Sequence, residues 1–121
     1  HNILIDADES AHLLAENGAD MVLSGHVHVP LSTTTREAFP TLKRHFVLAG
    51  AGTATSHRTR RNLQNSFYVI ECESNASGKN IRITPYVYNL ESKQFHTDET
   101  DHFTHHSGSW SKDSHIVCKE P

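Results

Sequence analysis

Two histidines stand two residues apart in the stretch GADMVLSGHVHVP, which spans residues 18–30. On an extended backbone, His26 and His28 would point to the same side, about 6.5–7 Å apart along the chain. Gly25 just before them gives the backbone freedom to bring the two rings closer. Neutral imidazole binds zinc, iron and manganese, and two-metal hydrolytic sites hold their ions roughly 3.5–4 Å apart. The pair therefore suits a centre in which each histidine binds a different metal.

The residues before the two histidines help to distinguish a metal site from an ordinary surface loop. An H-x-H pair taken alone is typical of surface loops. Here it follows the apolar run MVLS (21–24), which predicts a fully buried strand because it does not alternate. Ligands of open α/β sheets bind outside the carboxyl ends of strands, so this context favours a metal site over a plain loop.

A short helix must position that strand. The segment 10–17 carries an apolar stripe, and Gly18 is a natural stop for a helix. A helix that leads into a buried strand through a short loop is the second half of a layered α/β unit.

The rest of the chain predicts further strands. Apolar or alternating runs at 45–50, 66–74 and 81–90 indicate three strands, the last two joined by a turn into an antiparallel hairpin. The segment 31–44 is polar and reads as irregular. Residues 91–121 form a polar, histidine-rich tail without periodicity, for which we expect an irregular, flexible structure.

Composition limits the possible functions. The chain has 121 residues, enough for one domain or part of one, and its 11 Lys and Arg against 14 Asp and Glu give a net charge of −3. That balance gives no sign of binding to nucleic acid or to a membrane surface. No apolar run approaches the roughly 18 residues of a membrane span. Cys72 and Cys118 stand far apart and are typical of free thiols, so we expect a reducing, cytoplasmic compartment.

Two segments together resemble a known family. Residues 18–30 resemble the last metal-binding block of the calcineurin-like metallophosphoesterases, in which a G-H-x-H motif follows a helix and a strand. FVLAGAGTATSHRTRRNLQNSFYVIE, residues 46–71, is similar to the segment that follows in bacterial members: a strand, a Gly-Thr-rich loop with arginines, and Asn-Ser-aromatic leading into a strand. The resemblance covers about residues 1–90.

The resemblance implies a fold and a chemistry. The fold is a four-layer α/β/β/α sandwich, of which this chain would be the carboxy-terminal part. The function is hydrolysis of a small-molecule or nucleotide phosphoester, in chemical class a phosphodiester, by two divalent ions (Mn, Fe or Zn). His26 matches the ligand of one ion and His28 the ligand of the other. A further ligand lies upstream of the helix in the family, and His1 is either that histidine or its neighbour.

The departures from the family matter as much. The amino-terminal blocks D-x-H, G-D-x-x-D and G-N-H-[DE], which supply the carboxylate ligands, are absent from these 121 residues. We therefore expect this chain to be an inactive fragment of the enzyme. The alternative is a noncatalytic scaffold or interaction module that retains the fold with a degenerate metal site.

Other polar residues have simpler interpretations. Asp6 and Asp8 fit a loop and a helix start, where acidic side chains are favoured. Arg58, Arg60 and Arg61 have the chemistry to bind phosphate, but their loop favours a solvated face.

Overall fold

A computed structural model of the chain describes residues 7–25, 30–52, 54 and 64–114. Those residues form one helix and eight strands, and the chain is a mixed α/β protein made mostly of sheet, as its sequence predicts. In chain order the elements are α1 (Ala7–Glu16), β1 (Met21–Ser24), β2 (Leu31–Thr34), β3 (Val47–Gly50), β4 (Ser66–Asn75), β5 (Gly78–Asn89), β6 (Gln94–Thr97), β7 (Asp101–His106) and β8 (Ser109–Lys112).

The helix buries only its small residues. Ala11 and Ala15, four residues apart and so on one face, belong to the core, whereas Leu13 and Leu14 are exposed. Of the predicted apolar stripe, the two alanines are buried and the two leucines are not. Gly18 ends the helix as predicted, with a φ of 77°. Its N–H donates to the Ala15 carbonyl (3.1 Å), and the next N–H donates to the Leu14 carbonyl (3.0 Å), the two bonds of a Schellman cap.

The first sheet has three strands in the order β1-β3-β2. β1 runs parallel to β3, and β2 runs antiparallel to it. The prediction of a fully buried β1 was wrong, because β1 lies at an edge of this sheet and Leu23 is 64% exposed. The prediction of an irregular segment at 31–44 was wrong at its start, because the β-branched threonines of β2 pair with β3 over four residues.

The second sheet has five strands, with the path β4-β5-β7-β8 and with β6 also paired to β5. β4 and β5 form the antiparallel hairpin that the sequence predicts, in which Asn75 pairs with Gly78 across a two-residue turn. Pro85 lies within β5, between the part of that strand that pairs with β7 and the part that pairs with β6. β5 pairs with β7 up to Ile83 and with β6 from Tyr86 onward, so no ladder bond on that side needs the missing N–H of Pro85.

The predicted irregular tail was wrong over residues 94–112, which form β6, β7 and β8. Phe103 on β7 and Trp110 on β8 are fully buried core residues. Each of these two strands contributes one large apolar side chain among polar or charged residues, so the sequence shows no alternating apolar pattern. Backbone pairing with β5 and between β7 and β8 positions them instead.

Two groups of hydrogen bonds join the sheets, mostly through β8 and in one case through Lys79 on β5. On one side, the Trp110 backbone N–H donates to the His45 carbonyl (2.9 Å), and Arg36 Nε donates to the Trp110 carbonyl (3.2 Å). On the other side, Asp20 Oδ1 accepts from Trp110 Nε1 (3.0 Å) and from Lys79 Nζ (2.9 Å). Burial raises the pKa of Asp20, but these two hydrogen bonds and the Lys79 charge outweigh it, so the net pKa lies below the usual range.

Candidate functional site

The connection that carries the G-H-x-H motif begins and ends at one point of the first sheet. Ser24, the last residue of β1, pairs with Gly50 on one side, and Leu31, the first residue of β2, pairs with Gly50 on the other. Gly50 is the last residue of β3, so both ends of the segment 25–30 lie at the carboxyl end of that strand. A side chain at Gly50 would crowd both neighbours, because an added Cβ would lie 3.2 Å from Leu31 Cβ and 3.3 Å from Ser24 Oγ.

The chain leaves β3 at the same edge. The Ala51 N–H donates to the Ser24 carbonyl (3.0 Å), which extends the parallel pairing by one bond. At Gly52 an added Cβ would lie 2.6 Å from Ser66 Oγ and 3.0 Å from Pro30 Cγ. The end of the G-H-x-H connection, the start of the Gly-Thr-rich loop and the start of β4 therefore meet here. We call Ser24, Pro30, Gly50, Gly52 and Ser66 the carboxyl-edge cluster.

A cleft of about 250 Å³ lies beside this cluster, between the two sheets. Leu23 and Ala49 line it from the first sheet, and Tyr68 and Ile70 line it from β4. Burial raises the pKa of the Tyr68 hydroxyl, and the negative charge of Asp101 raises it further, so this phenol is neutral across the physiological range.

Comparison with protein-family models, with curated proteins and with solved structures gave no significant match. The resemblance to the calcineurin-like metallophosphoesterases therefore depends on the two sequence segments alone. In the part of the chain that the structure describes, no helix is long and apolar enough to cross a membrane.

The predicted metal ligands His1, His26 and His28 lie outside the described residues, as do Asp6 and the arginines at 58, 60 and 61. Within residues 7–25, 30–52, 54 and 64–114, no three His, Cys, Asp or Glu side chains come together as a metal site. Asp8 lies in the first turn of α1 and is exposed, in agreement with a role at the helix start.

His96, His102, His105 and His106 of the predicted tail belong to strands of the second sheet, and His115 lies outside the described residues. His96 on β6 bonds to Ser92 through Nε2 (2.9 Å). His105 on β7 lies beside the Trp110 ring, with 5.2 Å between the ring centroids. These histidines pack within or beside strands and do not form a flexible segment.

Ser66 is the serine of the Asn-Ser-aromatic segment, and the sequence predicted no role for it at this edge. It is 5% exposed, and its hydroxyl has no hydrogen-bond partner among the residues that the structure describes. Its signal in the sequence is slight: a serine directly before an aromatic strand, preceded by a loop that opens with two glycines. The approach of Ser66 to Gly52 depends on a contact between residues 14 positions apart, which no local pattern indicates.

Proposed function

We propose that this chain is the carboxy-terminal part of a metal-dependent phosphoesterase with the four-layer sandwich fold. His26 and His28 each bind one of two divalent ions, and His1 or its neighbour supplies a further ligand. One observation supports this best: Ser24 and Leu31, on either side of the G-H-x-H connection, both pair with Gly50 at the carboxyl end of β3. Ligands of open α/β sheets bind at such ends.

The chemistry of the donors fits part of a two-metal centre. Imidazole nitrogens suit Mn, Fe and Zn, and Gly25, directly before His26, gives the backbone freedom for close approach. Two divalent ions, when bound, supply an activated water and stabilise the charge of a phosphoester undergoing in-line displacement. The role of His26 and His28 is to hold these ions at the sheet edge.

Two histidines do not balance the charge of two dications. In our proposal the carboxylate ligands belong to residues outside these 121, so the isolated chain is inactive. The substrate is a small-molecule or nucleotide phosphodiester, and hydrolysis yields a phosphomonoester and an alcohol.

The test uses the longest natural protein that contains this chain. His26→Ala and His28→Ala should each abolish most metal-dependent hydrolysis of an aryl phosphodiester and lower the metal content measured by elemental analysis. His96→Ala is the matched control, because His96 is exposed on β6 and bonds only to Ser92 in the described structure. It should leave both quantities unchanged.

Full activity with unchanged metal content in either variant would contradict the proposal. Loss of metal in both variants, with no phosphoesterase activity in the parent protein, would favour the noncatalytic module.

A further inference from the structure

His45 lies where the two sheets meet, on the connection between β2 and β3. It is 8% exposed. Its backbone N–H donates to Ser109 Oγ (2.8 Å), and its carbonyl accepts from the Trp110 N–H (2.9 Å). His45 thus holds β8, a strand of the second sheet, against the first.

The His45 ring is bonded in a way that suits its neutral form. Nδ1 lies 2.9 Å from Thr35 Oγ1, which is itself fully buried. Thr35 Oγ1 already accepts from the Phe46 N–H (3.2 Å), so its own hydrogen is available for His45 Nδ1. A neutral ring with an unprotonated Nδ1 accepts that hydrogen, whereas a protonated ring would have to donate in the opposite direction.

The surroundings also disfavour a positive charge on His45. Arg36, on the same connection, fixes its guanidinium on β8, with Nη2 bonded to Ser109 Oγ (3.3 Å) and to Ser111 Oγ (3.1 Å). Burial lowers the pKa of His45 below its ordinary 6.5, and the Arg36 charge lowers it further.

The other charged groups around this junction do not offset that effect. Arg44 is adjacent in sequence and approaches Gly108, and His106 pairs across from Ser109. The charged side chain of β8 is Lys112, which donates to the Ser32 carbonyl (3.0 Å) and lies 3.4 Å from Asp101. Arg44, His106 and Lys112 are basic and do not stabilise a second cation at His45. The nearby carboxylates of Asp101 and Asp20 are paired with Lys112 and Lys79 instead.

We propose that Thr35, Arg36, His45, Ser109 and Trp110 form an acid-sensitive latch, which joins the two sheets at neutral pH and releases β8 when His45 takes up a proton. The released state is the one in which the ring reaches water and the Trp110 N–H loses its bond to the His45 carbonyl. Release uncovers Trp110 and the apolar inner faces of both sheets.

The sign of the effect follows from proton linkage. Above about pH 6.5 His45 is neutral whether the latch is closed or open, so the latch is fully stable. As the pH falls below that value, the open state binds a proton and the closed state does not. The opening equilibrium should then rise about tenfold per pH unit, the slope of one proton, until the closed state also titrates.

Amide hydrogen exchange tests this on the chain itself. From pH 7.5 to about 6.5 the protection factor of the Trp110 amide, corrected for the intrinsic exchange rate, should stay nearly constant, and from there to pH 5.5 it should fall with a slope that approaches one proton. The amide of Ile83, on the central strand β5, should keep its protection. His45→Asn places an amide atom near the position of Nδ1 without a titratable group, and should remove the slope. His105→Asn, which alters a second histidine beside Trp110, should retain it.

Three results would overturn the latch. The slope could persist in His45→Asn, or the Trp110 and Ile83 amides could lose protection together, as in global acid unfolding. The third readout needs no variant: an NMR titration of the His45 imidazole in the folded wild-type chain that gave a midpoint at or above 6.5 would also refute it.

Discussion

Replacement of Trp110 by Ala should be the most damaging single change in the second sheet. Trp110 is 2% exposed on β8, its indole N–H donates to Asp20 Oδ1 (3.0 Å), and its ring contacts His105. Truncation to Ala therefore removes a buried ring and one of the hydrogen bonds between the sheets.

The expected loss in the free energy of unfolding can be obtained from buried area and from measured substitutions. A buried aromatic side chain removes about 150–250 Å² from water, which at roughly 25 cal/mol per Å² corresponds to about 4–6 kcal/mol. Measured Trp→Ala changes in protein cores cost about 3–5 kcal/mol. Asp20 remains half-exposed and keeps Lys79, so the lost indole bond adds little. We expect a loss of about 4 kcal/mol, a large part of the roughly 5–15 kcal/mol that stabilises a domain.

Urea denaturation followed by far-ultraviolet circular dichroism measures this loss, because the chain has one tryptophan and its fluorescence disappears with the mutation. Trp110→Phe should cost only about 1–2 kcal/mol, since it retains most of the ring. Leu90→Ala is the matched control: Leu90 is 67% exposed, so the expected change is within about 0.5 kcal/mol. A Trp110→Ala chain that lost less than about 1 kcal/mol would show that β8 is not part of the cooperative core.

Two further predictions concern the carboxyl-edge cluster. Gly52→Ala should destabilise the chain by about 1–3 kcal/mol in urea denaturation, because the new methyl group would lie 2.6 Å from Ser66 Oγ; an unchanged midpoint would mean that β4 and the loop are not so close. Ser66→Ala should be neutral or should raise the melting temperature, because it removes a buried hydroxyl without a described partner. A fall of several degrees in that melting temperature would show that this hydroxyl has a stabilising partner.

Helix ends and turns that are marked by characteristic residues were predicted correctly from the sequence. Gly18 fixed the end of α1, and the turn cluster before Gly78 predicted the β4–β5 hairpin. The strands β7 and β8 were missed because each has one large core residue, Phe103 or Trp110, in a polar setting. Burial of Leu23 was overestimated because an apolar run does not reveal whether its strand lies at the edge or in the middle of a sheet.

The candidate site likewise has a part that the sequence predicted and a part that only the tertiary structure shows. The G-H-x-H motif and the Gly-Thr-rich loop were recognisable as sequences, and both were expected at strand ends. Gly50 pairs with both Ser24 and Leu31 because the strand order is β1-β3-β2, in which a later strand lies between two earlier ones. No local sequence pattern indicates that order. Contacts such as Gly52 with Ser66 arise only from the tertiary arrangement of the sheets.

The contacts that join the sheets also have a consequence for how the chain folds. Asp20 and Trp110 are 90 positions apart, Lys112 and Ser32 are 80 apart, and Arg36 and Ser111 are 75 apart. Such separations make folding slow, because the entropy of closing long loops is lost before the contacts form. On a ribosome that adds about 5–20 residues per second, the first sheet, complete at Gly50, would wait roughly 3–12 s for Trp110 on β8. During that interval the apolar side chains of Val47 and Ala49 lack the cover that β8 completes, so we expect the nascent chain to be most prone to aggregation before β8 is made.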